Sequence, residues 1–305
     1  MYHQIALNRR KSVVVILVFF LFWIAAGYGI GLLAGHGTTS GAVTGSIIAG
    51  ILALLAVLWA LTAGQLTILS VSGAQPAPQE QYPVLYDIVS TLAIGAGLPM
   101  PRIYVIDDPS PNAFATGLSP KSASVTVTSG LLRMMNREEL EGVLAHEMSH
   151  VRNYDVRLVL IVATVVALAG LLASVMWRSM FYTRWGNSRD SGNAVIVLVA
   201  AAIVLSIIAV IVGPLMQFAL SRSRESLADA SSVELTRNPV GLLHALQKIS
   251  QNDQPFTKMT HVTAAMCIDN PLEHHHGWYH HLFDTHPPIE ERIAALQRML
   301  NVEQT

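Results

Sequence analysis

The chain has 305 residues, 52% of them hydrophobic and 13% charged, with a formal net charge of −1. This is too apolar for an ordinary soluble domain, so bilayer spans are expected and a nucleic-acid partner is not. A single cysteine, Cys267, excludes an internal disulfide, suits a reducing cytoplasm and reads as a small packed residue.

No Asp, Glu, Lys or Arg occurs between Lys11 and Glu80. A Gly-rich stretch at 35–41 divides this region into two apolar runs, about Ser12 to Leu33 and Ser46 to Leu69, each longer than the roughly 20 residues that cross a hydrocarbon core. They predict a transmembrane hairpin. A cleaved signal peptide is the weaker reading, because the first run is too long and a second follows it directly. Next come the strand-like Ile103 to Ile106, the segment Asn112 to Gly117 and the alternating Ser124 to Thr128. Read by itself, the middle segment is a polar turn carrying a phenylalanine.

Asn136 is a good N-cap with Glu139 in capping-box register, so a helix begins there. Leu140, Val143, Leu144 and Val151 recur on its packed side, while Arg137, Glu138 and Glu141 face water. The same helix carries His146-Glu147-Met148-Ser149-His150. Residues i and i+4 share a face, so both imidazoles can grip one metal with Glu147 beside it. A surface helix with two incidental histidines is the competing reading of these five residues alone. Catalytic zinc also needs a third protein ligand.

Two further uncharged runs, Leu158 to Trp177 and Val195 to Leu215, bring the predicted spans to four. Lys and Arg number three before the first span, six between the second and third, and seven after the fourth. Only Arg178, Arg184 and Arg189 fall in the loop of the last pair, which places the N-terminus and both polar regions in the cytoplasm. If one ion joins His146 to a ligand beyond the last run, the last two runs both span or neither does. Just past them, Glu225 and Asp229 share a helical face. A carboxylate can be the third ligand, and an acid one turn on can accept a hydrogen bond from the far nitrogen of a ligating histidine. Solvated acids on an amphipathic helix are the plainer alternative. Five histidines between His274 and His281 read as a mobile loop rather than a metal site, since no acidic or thiol cluster accompanies them. Thr285 reads as the cap of the last helix, with Pro287 or Pro288 in its first turn and Ile289, Ala294 and Leu296 on its packed side.

Four segments taken together, His146 to His150, Arg224 to Asp229, Asn112 to Gly117 and Thr285 to Arg292, resemble the HtpX family of membrane zinc endopeptidases. That family sits in a wider group with the type I CAAX prenyl proteases. The likeness covers nearly the whole chain, although the segment from Asn270 to His281 stands where the family tends to have a small-residue link. The resemblance implies an α-helical membrane protein with four transmembrane helices and a cytoplasmic α+β zincin-like (gluzincin) catalytic domain. Its parts are a hairpin at 1–72, the first catalytic half at 73–157, a second hairpin at 158–218 and the second catalytic half at 219–305.

The resemblance makes Glu225 the third ligand, beside His146 and His150, to one Zn2+ per chain, with Asp229 supporting a ligand and Glu147 activating the zinc-bound water. It makes Asn112, Ala113 and Phe114 an edge strand along which a polypeptide substrate adds as a further strand. His286 matches a family histidine with no role assigned. The expected protein is a multi-pass enzyme of a bacterial-type cytoplasmic (inner) membrane, with both termini and the catalytic site in the cytoplasm. Its expected substrates are misfolded or damaged membrane proteins.

Two spacings agree with that role. If the zinc helix runs on into the third span, His150 lies about 12 Å before Leu158, and Glu225 follows the uncharged stretch ending at Ser221 by four residues. A transporter is disfavoured, because the spans hold no charged residue in their interiors. An intramembrane protease is disfavoured too: Arg137, Glu138, Glu139, Glu141, Arg152 and Asp155 surround the motif and predict a water-facing helix.

Overall fold

A computed structural model describes residues 2–35, 37–161, 222–252 and 288–303, with single positions at 164, 174, 178, 199 and 203. The predicted spans beyond Ile161, the His274 to His281 loop, Cys267, Thr285 and His286 lie outside the described residues. The chain divides into two compact units. One takes in the described residues of Arg10–Gly64 and Ile161–Leu215, and the other those of Met1–Arg9, Gln65–Leu160 and Met216–Thr305.

In the first unit, α1 (Tyr2–Ala34), from Arg10 onward, and α2 (Thr39–Thr62) form a helical hairpin. Thr38 caps α2, its hydroxyl accepting from the Gly41 N–H at 3.2 Å. The buried side of α2 is small, with Ala42, Ala49, Ala53, Val57 and Ala60. Across from it, side chains at Gly27 and Gly31 would run into the backbone of α2, so these glycines permit the close approach. Phe19, packed edge-on to Trp23, closes the cluster with Ala53 and Val57. The opposite face of α2 leaves Ile51, Leu54, Leu55 and Leu58 exposed. Thr39–Thr62 is long and apolar enough to cross a membrane. The run predicted from Ser46 to Leu69 is therefore shifted: the helix ends at Thr62, and Gly64–Val71 forms a separate α3.

The second unit is built on a four-stranded sheet, β1 (Gln75–Pro76), β2 (Arg102–Ile106), β3 (Ala113–Thr116) and β4 (Ser124–Thr128), in the order β1-β2-β4-β3. The β2–β4 pair is parallel and the other two are antiparallel. Among the described residues strand β3 is thus an edge, although every one of its residues is buried. Helix α4 (Pro83–Ala96), ended by left-handed Gly97, packs Leu85, Ile88, Val89 and Leu92 into the core beside Ile103, Val125 and Val127.

A short α5 (Ser129–Met134) leads into α6 (Arg137–Arg152), which starts with the predicted capping box. Asn136 accepts from the Glu139 N–H at 2.9 Å, and the Asn136 N–H donates to the Glu139 carboxylate at 2.8 Å. Lys248 neutralises that carboxylate at 2.7 Å. Leu140, Val143, Leu144 and Val151 are buried as the spacing predicts. Among the described residues three helices complete the unit: α7 (Arg222–Thr236), α8 (Pro239–Ser250) and α9 (Ile289–Glu303). Helices α6 and α8 cross at two glycines. A side chain at Gly142 would strike the Leu242 backbone, and one at Gly241 would strike the Glu138 carbonyl.

Four expectations change here. Beyond its first turn, where Arg137 and Glu138 are exposed as expected, helix α6 does not face water: everything from Gly142 to Val151 is buried, and so is Asp155. It does not run on toward the third predicted span either. It stops at Arg152, and Tyr154 takes a left-handed φ of 61° before helix resumes at Asp155. Pro288 precedes the last helix rather than lying in its first turn. In that helix Ala294 is exposed, and the most buried positions are Leu296 and the cation Arg292. The reason for the last change is polar: Arg292 faces a buried carboxylate.

Candidate metal centre

Helix α6 supplies two imidazoles on one face, and α7 brings Glu225 against them. His146 and Glu225 are fully buried and His150 is 7% exposed. The two Nε2 atoms lie 3.2 Å apart. His146 Nε2 stands 3.4 Å from Glu225 Oε2, and His150 Nε2 stands 3.4 Å from Glu225 Oε1. Donors bound to a tetrahedral zinc at about 2.0–2.1 Å stand about 3.3–3.4 Å from one another. The Nε2–Nε2 separation and the nearest Nε2–carboxylate separations are close to that length, the two imidazoles meeting different oxygens of Glu225, and one ligand atom from each residue lies within 4.8 Å of the others.

The donor chemistry agrees. Each imidazole turns its Nδ1 to a carboxylate: His146 to Asp229 Oδ1 at 2.9 Å, and His150 to Asp155 Oδ2 at 3.1 Å. With both Nδ1–H groups donating, both Nε2 lone pairs and the Glu225 carboxylate converge on one point. Such a set is repulsive by itself and favourable around a cation. The residues present fit a divalent metal of borderline softness, the class to which zinc belongs.

The supporting carboxylates are themselves held. Arg292 from α9 grips Asp229 with two hydrogen bonds, Nη2 to Oδ1 at 2.7 Å and Nε to Oδ2 at 3.1 Å, and its Nη2 lies 3.3 Å from His146 Nδ1. Arg224, the residue before Glu225, stands with Nη1 3.4 Å from Asp155 Oδ1. Both guanidinium groups are nearly inaccessible to solvent.

Burial opposes protonation of His146, and the charge of Arg292 adds to it, yet the hydrogen bonds to Asp229 and Glu225 carry its pKa above the ordinary histidine value. His150 is carried well above that value. Burial again opposes, but the charge of Glu225 and the hydrogen bond to Asp155 outweigh it. Burial pushes the Asp229 carboxyl up, whereas Arg292 and His146 hold it far below the usual carboxylate range. Desolvation lowers the Arg224 pKa, a shift that Asp155 only partly offsets.

Glu147 reaches β3. Its Oε2 accepts the Ala115 N–H at 2.9 Å. The strand's parity explains why that N–H is available. Asn112 bonds Thr128 across the sheet, so Ala113 and Ala115 turn their N–H and C=O groups outward from the edge. The outward Ala113 N–H is taken by the Asn112 side chain at 2.9 Å.

The structure thus gathers His146, His150, Glu225 and Asp229 at one centre, while Glu147 bonds Ala115, the residue after the Asn112 to Phe114 segment. Sequence reasoning assigned no role to Asp155, Arg224 or Arg292. Both arginines stand inside the segments that carry the resemblance, and only Arg224 lies next to a ligand-type acid. Asp155, expected as a solvent-facing charge, is buried.

The model of peptidase family M48 matches residues 79–300. A protein named protease HtpX homolog from Ligilactobacillus salivarius is 45% identical, over 98% of this chain and all of its own length. Its counterpart in Listeria monocytogenes, of the same name, is 41% identical over the same shares. Among solved structures, the crystal structure of S. mikatae Ste24p is similar with a TM-score of 0.49 and 20% identity, covering 97% of this chain and 67% of that one.

Proposed function

We propose, from the premise that this chain belongs to peptidase family M48 and is a metalloprotease, that it is a zinc-dependent endopeptidase anchored in a bacterial cytoplasmic membrane. The observation that carries the reading is the buried triangle of His146, His150 and Glu225, in which one ligand atom from each residue lies within 4.8 Å of the others. These three residues would hold the ion, which supplies a Lewis acid that polarises a scissile carbonyl and makes water more acidic. Asp229 accepts the Nδ1–H of His146 and so keeps its Nε2 directed at the ligand point. Glu147 is the general base. Its carboxylate, steadied by the Ala115 N–H, takes a proton from the attacking water and returns it to the amine nitrogen as the C–N bond breaks.

A substrate adds along β3, whose outward carbonyls at Ala113 and Ala115 receive its N–H groups, and Asn112 and Phe114 border that path. Main-chain pairing of this kind reads shape more than sequence, which fits the clearing of damaged proteins. The apolar Thr39–Thr62 helix anchors the enzyme, and the basic-residue balance supports four spans with both termini and the site in the cytoplasm. Membrane proteins exposing loops or ends at that face are the substrates within reach.

Casein digestion by detergent-purified full-length protein tests the chemistry. The expected result is about one zinc per chain and cleavage that a chelator abolishes. Glu147→Gln should keep the metal and lose about 10²–10⁴-fold in rate, and cleavage at the parent rate would falsify the assignment of the base. A C-terminal tag open to added protease in inverted vesicles, and shielded in right-side-out ones, is the expected topology; the reverse pattern overturns the orientation.

A further inference from the structure

The two imidazoles of the ligand triangle have matching supports. His146 leans on Asp229, and Asp229 on Arg292; His150 leans on Asp155, and Asp155 on Arg224. The second set is as secluded as the first, with Asp155 2% and Arg224 4% exposed. Its origin in the chain is different. Asp229 comes from another helix, whereas Asp155 is only five residues beyond the histidine it touches.

On an unbroken helix a residue at i+5 is rotated by about 140° from residue i, so Asp155 would turn away from His150. The chain prevents this. Asn153 ends α6 with its N–H on the carbonyls of Ser149 and Val151, and Tyr154 then adopts φ 61°. A tyrosine lacks the freedom glycine has in this left-handed region. The turn nevertheless forms, and the next residue's carboxylate arrives 3.1 Å from His150 Nδ1.

We infer that Asp155 is a positioning residue for His150, delivered by the left-handed turn at Tyr154 and oriented by Arg224. The inference rests on the reading of His150 as a metal ligand. By accepting the Nδ1–H, Asp155 selects the tautomer whose Nε2 is free to bind a cation, and its charge strengthens that nitrogen as a donor. Arg224 immediately precedes Glu225 on α7, so one guanidinium ties the support of the second ligand to the helix of the third.

The test is metal binding by the full-length protein in detergent, with zinc or Co2+ titrated against a chromophoric chelator and the visible bands of the Co2+ form recorded. Asp155→Ala should weaken affinity about 10- to 100-fold and shift the Co2+ bands. Asp155→Asn keeps an acceptor without the charge and should fall between the parent and the alanine variant. Tyr154→Gly, which adopts the turn freely, should bind as the parent does. Tyr154→Val, whose branched side chain resists it, should bind more weakly. Glu225→Ala is measured alongside. If it loses the metal while Asp155→Ala keeps parent affinity and spectrum, the inference is overturned and the ligand triangle stands. If both variants bind as the parent does, the triangle itself is wrong and the inference falls with it. Should Asp155→Ala not fold, parent-like binding by both Asp155→Asn and Tyr154→Val overturns it equally.

Discussion

Helices α2 and α6 reverse the usual relation between polarity and burial. Helix α2 is uncharged throughout, yet it hides only a seam of small residues and leaves Ile51, Leu54, Leu55 and Leu58 open. Helix α6 carries two histidines and two glutamates among its buried residues. The first pattern is stable where the surroundings are themselves apolar, as in a bilayer. The second is stable only because each polar group meets a partner, since an unpaired buried charge costs several kcal/mol. What decides burial is therefore the partner available to each face and not the hydropathy of the helix.

The largest test of this contrast removes a partner from the polar side. Arg292→Ala leaves the Asp229 carboxylate buried without its guanidinium, and the metal-free protein should lose about 3–5 kcal/mol in denaturant unfolding. A loss under 1 kcal/mol would break the argument for α6. On the apolar side, Leu54→Arg puts a charge on the open face of α2 and should raise the cost of membrane insertion by about 2.5–3.5 kcal/mol; integration equal to the parent's would mean that this face does not meet lipid. Gly142→Ala probes packing alone. The added carbon would lie 2.5 Å from the Leu242 nitrogen, so α6 and α8 must part, at about 1–3 kcal/mol seen as a lower melting temperature. Smallest of all is Arg137→Ala. Its ion pair with Asp87 is exposed on both sides, and an unchanged melting temperature is expected.

Local chemistry accounts for the features that could be read without coordinates. Asn136 and Glu139 announce the start of α6 because a capping box spans three residues. His146 and His150 share a face because helical geometry alone requires it. The alternation of Ser124 to Thr128 marks β4 at its observed bounds. The run to Leu69 was misread because hydropathy does not register a break at Ala63. Asp155 was misread because a charged residue near a helix end is usually solvated, and nothing in the neighbouring residues signals a left-handed tyrosine.

Composition and short-range spacing by themselves determined the apolar hairpin, the helix that sets His146, Glu147 and His150 side by side, and the acids suited to stand near them. Only the tertiary structure decided which charges are buried, that α6 stops at Arg152, and that Arg224 and Arg292 stand behind the two supporting carboxylates. The physical reason is range. Caps and helical faces are set by residues a turn apart, whereas Arg224 meets Asp155 across 69 positions and Arg292 meets Asp229 across 63, contacts that exist only once the helices have packed.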